Sequence, residues 1–449
     1  VTEIAIAILA AGKGTRMKSR LPKVLHAIAG QPLLHHVLAT ARGLCPERLV
    51  LVLGPDMEEV GAALPQGSPE VAIAVQAERL GTGHALMMAE PALAYFSGDV
   101  LVLYGDVPLI TGETLRALLA RRKSSGAALA VLAFEPKDSA AYGRLVLGSG
   151  GTLERIVECL DTDEATAAST LCNSGIMAVS GAHLFGLLKT LENNNAKGEY
   201  YLTDIVAAAR RLGLDCVHAM ALEEEVMGIN DRVQLAEAEA ALQGRLRRSA
   251  MENGATLIDP ATTWLSPDTV LGEDVIVGPN TVFGPGVRVS DGVEIRAFCH
   301  LEGAEVGRGA IIGPYARLRP GAEIGEGARV GNFVEVKKAR VEKGAKINHL
   351  SYIGDARVGA GANIGAGTIT CNFDGYAKSF SDIGAGAFIG SNSALVAPVV
   401  IGDGAVVAAG SVITRDVAAD AIAVARGKQS EYAGAAAKRR DRKESGRKK

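Results

Sequence analysis

The chain has 449 residues and a formal net charge of −3. That length calls for more than one ordinary core, and that charge leaves no global field to draw the chain to nucleic acid or to a membrane surface. No apolar run reaches the ~18 residues of a spanning helix, and the opening VTEIAIAILAAGKG lacks the basic segment of a signal peptide.

IAIAIL (Ile4 to Leu9) is a continuous apolar run and predicts a buried strand. The loop after it, LAAGKGTRMKSRLPKVL, is neither a Walker A loop nor a dinucleotide fingerprint, because the third glycine position holds Met17. Its glycines let backbone N–H groups approach an anion, and Arg16 and Lys23 add charge, which suits a nucleoside triphosphate. LVLVLG, VAIAV and VLVLYGD repeat the strand type, with helical patterns such as PLLHHVLATARGL and TGHALMMAE between them. Strands alternating with helices predict βαβ units and a mostly parallel sheet, with ligands beyond the carboxyl ends of its strands. Asp106 in YGDVPL and Asn230 in GIND are hard oxygen donors suited to Mg2+. Taken singly, Asp106 also reads as a turn former and Asn230 as a helix cap.

Residues 1–230 form the expected first domain. Residues 231–254 read as a linking helix, capped by Asp231 and ended by Gly254. From Ala255 to about residue 425 the period changes to six. Ile258, Trp264, Val270, Ile276 and Val282 share it, as do Val306, Ile312, Leu318, Ile324, Val330 and Val336, and then Ile383, Ile389, Leu395, Ile401, Val407 and Ile413. A hexapeptide repeat predicts a parallel β-helix, with one aliphatic residue per hexad pointing inward and coils stacked roughly 4.8 Å apart. The phase slips between Val336 and Ile383, and irregular parts of a solenoid often carry function. The end, residues 426–449, is basic and predicts a mobile tail. The six cysteines are scattered with no C-x-x-C pair, the pattern of free thiols in a reduced, cytoplasmic protein.

The motifs L-x-x-G-x-G-T-R-M, PKVL, QAERLGTGHA, YGDVPL and NNNAKGEYYLTD precede the repeats, and RPGAEI, NHLSYIGDA and TITCNFDG lie within them. Over nearly the whole chain they resemble the bacterial bifunctional N-acetylglucosamine-1-phosphate uridylyltransferases and glucosamine-1-phosphate N-acetyltransferases. The resemblance implies an α/β Rossmann-like nucleotidyltransferase domain with a mostly parallel mixed sheet, joined by a helix to a left-handed parallel β-helix. It implies acetyl transfer from acetyl-CoA to glucosamine 1-phosphate, then Mg2+-dependent transfer of UMP from UTP to N-acetylglucosamine 1-phosphate. The product feeds peptidoglycan, lipopolysaccharide and other envelope polymers. It also implies a homotrimer, with the coenzyme site between neighbours.

Carried over by position, Ala11, Gly12, Gln76, Gly81 and Thr82 would read the uracil nucleotide. Arg16 and Lys23 would hold the triphosphate, and Asp106 and Asn230 would bind Mg2+. Gly143, Glu158 and Asn173 would hold the N-acetylglucosamine 1-phosphate. In the β-helix His349 would be the general base, with Arg319 and Lys337 on the sugar phosphate and Tyr352 and Asn363 orienting the sugar. Asn372 would stabilise the oxyanion, beside Phe373. Ser391, Ala409 and Arg426 match positions that contact coenzyme A. Two positions depart from the family pattern: Leu160 stands where a lysine is usual, and Phe373 where a tyrosine is usual. A single-function sugar nucleotidyltransferase with a structural β-helix is the alternative, and a β-helix serving as a protein-binding scaffold is a third reading. The set His349, Asn372, Arg319 and Lys337 discriminates against the first of these, and the scaffold reading predicts an exposed apolar patch on one face.

Overall fold

The computed structural model describes residues 3–139, 142–148 and 150–446. The chain divides into two compact units, Val1–Arg245 and Leu246–Lys449. The last residues of the expected tail, 447–449, lie outside the described residues.

The first unit is built on strands β1 (Ile4–Leu9), β2 (Arg48–Leu53), β3 (Val71–Val75), β4 (Asp99–Tyr104), β5 (Leu129–Phe134), β6 (Arg144–Leu147), β7 (Leu153–Val157), β8 (Cys172–Ser180) and β9 (Cys216–Met220). The main path runs β9-β5-β8-β4-β1-β2-β3. Only β8 runs antiparallel to its neighbours β4 and β5 on that path, and the β6–β7 hairpin hangs from it. Strand β1 shows why the apolar runs are unbroken. Ala5, Ala7 and Leu9 enter one core cluster and Ile6 and Ile8 another, so both faces are covered. VAIAV, which the sequence groups with the buried strands, is the edge strand β3, and Ile73 and Val75 are half-exposed there.

A helix spans Arg232–Glu252. Its Ala238 packs with Ile28, Leu33, Leu109 and Ile229 of the first unit. Leu246 and Ala250 pack on the core of the second.

The second unit is a parallel β-helix. On one wall Val277, Ile295, Ile312, Val330, Ile347, Ile364, Ile389 and Val407 stand in register through successive parallel pairs. A coil takes 18 residues from Val277 to Ile295 but 17 from Ile295 to Ile312, and 17 again from Val330 to Ile347 and from Ile347 to Ile364. The coil from Ile364 to Ile389 takes 25, because it contains an excursion near Cys371–Phe380. Two long strands, Glu335–Val341 and Tyr352–Val358, turn a corner and pair along two walls at once.

The expected inward phase holds from Val306 onward, where the six-spaced aliphatics are buried. It fails before that. Ile258, Trp264, Val270, Ile276 and Val282 point outward, and their neighbours Leu257, Val277, Phe283, Val289, Ile295 and Leu301 fill the core. The step from Leu301 to Val306 is five residues rather than six. Because side chains alternate faces along a strand, that one missing residue exchanges the inward and outward positions.

The expected mobile tail contains a helix, Ala435–Gly446, opened by an alanine run of high helix propensity. Its described side chains are exposed. None of the six cysteines forms a disulfide. Among the described residues no helix is long and apolar enough to cross a membrane.

Candidate active sites

In the first unit the loop after β1 is shaped around Lys23. Gly14 has φ +61°, and a Cβ there would lie 2.6 Å from Lys23 Cβ, so only glycine lets the turn close on that lysine. Gly12 differs, because a Cβ there would meet no protein atom within 4 Å. Its bareness leaves backbone open to a ligand.

Ala11, Gly12, Lys23, Gln76, Gly81, Thr82 and Asp106 line one cavity of about 310 Å³, at the carboxyl ends of β1 and β4. Gln76 is buried, and its Nε2 donates to Gly81 O at 3.0 Å. The segment Glu199–Leu202 lies against the helix that starts at Thr82: Gly83 N donates to Tyr200 O, and Leu202 N donates to Thr82 Oγ1. Arg79 is a lining residue that the sequence reading missed. Its Nε donates to Ala11 O at 2.8 Å, tying the anion loop to the QAER segment. Its place in that motif was the available signal.

Lys23 Nζ pairs with Asp106 Oδ2 and lies 3.2 Å from Asn230 Oδ1. Asn230 turns its amide nitrogen to Gly228 O, which leaves its oxygen for the cation. Ile229 N donates to Asp106 O at 2.9 Å, so backbone holds the two donors together. Asp106 and Asn230 thus already share one cation, the lysine ammonium. One carboxylate, one amide oxygen and no further His, Cys, Asp or Glu cluster among the described residues fit an ion that takes its remaining ligands from phosphate and water.

Asn173 N donates to Gly143 O at 2.9 Å, and Asn173 Oδ1 accepts from Gly175 N, so the bulge in β8 joins two of the expected sugar-side residues. Glu158 accepts from Thr203 Oγ1 at 2.8 Å. It also approaches Tyr104 in the cavity wall: burial first, then Glu158 and Asp106, push the Tyr104 phenol well above its ordinary value. Arg16, on the turn Thr15–Met17, is exposed and does not line the cavity. Leu160 is exposed.

In the second unit three cations gather around the long strand Glu335–Val341. Arg319 Nη1 lies 2.8 Å from Glu335 Oε1. Lys337 stands against Lys378, which holds it below the usual lysine value, with desolvation and Arg319 adding to the effect and Asp355 opposing it. Lys378 was not legible beforehand as a site residue. It comes from the excursion, where Phe373 bridges to Lys378 and Asp374 Oδ1 accepts from Tyr376 N and Ala377 N. The same loop brings the Asn372 amide onto Asp355 Oδ2. Tyr352 lies over Gly354, where a Cβ would come within 2.4 Å of the phenol oxygen.

His349 ends the strand Lys346–His349 and is exposed, with Nδ1 2.6 Å from Asn332 Oδ1. Sequence reading missed Asn332 too. Asn363 lies on the next strand of the same wall, paired with Lys346 and Phe388. Ser391, Ala409 and Arg426 form a group on successive coils: Gly410 N donates to Ser391 O, and Arg426 Nη1 donates to Ala409 O at 2.7 Å. Phe373 is exposed.

Residues 6–195 match the MobA-like NTP transferase domain. Residues 268–303, 303–338 and 380–415 match the bacterial transferase hexapeptide (six repeats). The chain is 58% identical over 434 residues to the bifunctional protein GlmU of Paramagnetospirillum magneticum, covering 96% of each chain. It is 58% identical over 442 residues to that of Rhodospirillum rubrum, covering 98% of this chain and 97% of the relative. With that of Zymomonas mobilis it shares 52% over 437 residues, 97% of each. The chain belongs to the GlmU family, bifunctional uridylyltransferases and acetyltransferases of UDP-N-acetylglucosamine synthesis.

Proposed function

We propose that the first cavity holds UTP and Mg2+, with N-acetylglucosamine 1-phosphate beside it at Gly143, Glu158 and Asn173. The observation that carries this is the shared hold of Asp106 and Asn230 on one cation. Those two residues would hold Mg2+, which supplies Lewis-acid stabilisation of phosphate charge when bound. The sugar phosphate oxygen attacks the α-phosphorus of UTP and pyrophosphate leaves. No side chain acts as nucleophile, so catalysis is positioning plus charge stabilisation. Ala11, Gly12, Gln76, Gly81 and Thr82 seat the nucleotide, and Lys23 and Arg16 offset charge on the triphosphate and on the leaving group.

In the second unit Arg319, Lys337 and Lys378 bind the phosphate of glucosamine 1-phosphate, and Tyr352 and Asn363 orient the sugar. His349 takes a proton from the 2-amino group as its nitrogen attacks the thioester carbonyl of acetyl-CoA. Asn372 steadies the oxyanion, and coenzyme A leaves as the thiol once its sulfur takes that proton from His349. Ser391, Ala409 and Arg426 contact the coenzyme. Six cysteines with no disulfide among them fit the reducing poise of the cytoplasm. The working form is a homotrimer. Phe298, Tyr315 and Phe333 stack on one corner of the β-helix, half-exposed, and offer a second copy an apolar surface next to Tyr352.

The test is one coupled assay with glucosamine 1-phosphate, acetyl-CoA, UTP and Mg2+, each omitted in turn, with products identified by mass. Omitting UTP or Mg2+ should stop the sequence at N-acetylglucosamine 1-phosphate. Acetylation that itself requires UTP would overturn the assignment of two separate sites. Light scattering that gives a monomer mass would overturn the trimer.

A further inference from the structure

A histidine that acts as a base must keep the lone pair of one named nitrogen free. A neutral imidazole has two tautomers, and only the hydrogen bond made by the other nitrogen decides between them. An exposed histidine without such a partner samples both and also rotates.

His349 has a partner. The strand Arg329–Asn332 runs parallel to Lys346–His349, and Asn332 stands directly opposite His349 in the register. The two residues are 17 apart, one shortened coil. Asn332 Oδ1 lies 2.6 Å from His349 Nδ1. An amide oxygen only accepts, so Nδ1 must carry the hydrogen, and the lone pair is left on Nε2. Hydrogen bonds to the two main-chain carbonyls hold both ends of the contact. Leu350 N donates to Asn332 O at 3.0 Å, and His349 O accepts from Ser351 Oγ at 2.8 Å.

We infer that Asn332 is a positioning residue for acetyl transfer: it holds His349 in the Nδ1–H tautomer and aims Nε2 at the amine. The inference rests on the reading of His349 as the base. When Nε2 takes the proton from the attacking nitrogen, Nδ1–H stays donated to the same amide oxygen, so the ring needs no rearrangement during the step. The proton that Nε2 takes up then passes to the sulfur of the departing coenzyme A.

The test uses the full chain with Asn332→Leu, Asn332→Asp and His349→Ala. Acetyl transfer is measured with glucosamine 1-phosphate and acetyl-CoA, and uridylyl transfer is measured on the same preparations. Asn332→Leu should lower the kcat of acetyl transfer by about ten-fold or more, with KM for both substrates nearly unchanged. Asn332→Asp keeps an acceptor oxygen and should restore most of that loss. Uridylyl transfer should be unchanged in all three, and the urea transition of the β-helix, unchanged in each variant, controls for its folding. Full kcat in Asn332→Leu, a loss confined to KM, or an Asp variant no better than Leu would each overturn the assignment. An inactive His349→Ala beside a fully active Asn332→Leu overturns this inference alone. A His349→Ala chain with normal acetyl transfer overturns the base reading as well.

Discussion

Lys23 and Asn230 are 207 residues apart in the chain and 3.2 Å apart in the fold. The contact closes a triangle with Asp106, whose carboxylate pairs with the same ammonium. Residues from the first loop, from the end of β4 and from the start of the long helix therefore meet at one charge.

Replacing Asp106 with alanine should remove one of the two proposed Mg2+ ligands and leave the β-helix untouched. Uridylyl transfer should fall by about 10²-fold or more, with acetyl transfer unchanged. Rates of the two half-reactions, measured separately at ordinary Mg2+, check this.

Gly14→Ala should act on the same site through geometry. The new Cβ would lie 2.6 Å from Lys23 Cβ at a φ of +61°, so the turn must open and the lysine must move. A rise in KM for UTP of about ten-fold is expected, comparable to one weakened charge-assisted contact. An unchanged KM would show that the loop absorbs the methyl group elsewhere.

Lys378 bears on pH. Its charge holds Lys337 below the ordinary lysine value, so on the alkaline side Lys337 loses its proton earlier than an unperturbed lysine would. Lys378→Ala should raise the Lys337 value and move that loss of phosphate binding to higher pH. At neutral pH the same change removes one cation and should raise KM for glucosamine 1-phosphate by about ten-fold. A pH profile of kcat/KM for acetyl transfer reads both effects.

The inward phase of the first coils is testable by stability. Ile295→Ala removes a fully buried side chain and should cost about 2–5 kcal/mol. Ile276→Ala, on the outward phase and 44% exposed, should cost under ~1 kcal/mol. Urea melts of the two variants, followed on the transition of the β-helix, give the comparison.

The period of six was legible because one buried aliphatic per hexad is a strong constraint. Its phase was less so, since pairs such as Ile276–Val277 offer two aliphatic candidates. The clue was present in Arg288, Glu294 and His300, which continue the Ile258 series and cannot all line an apolar core. Of the residues taken from motifs, Lys23, Gln76 and Asp106 meet in one cavity. Arg79, Lys378 and Asn332 were not found. Arg79 acts on a backbone carbonyl, Lys378 arrives by a loop, and Asn332 meets its partner only because a coil measures 17 residues. Such pairings appear only when the coil length is known.

That coil length has an evolutionary consequence. Coils of 17 and 18 residues stack in one register here, so a corner can lose a single residue while the next strand keeps its inward position. Larger insertions leave and rejoin at one corner, as the Cys371–Phe380 excursion does between walls that stay paired. Growth or shrinkage of this half among its kin should then collect at the corners and spare the flat walls.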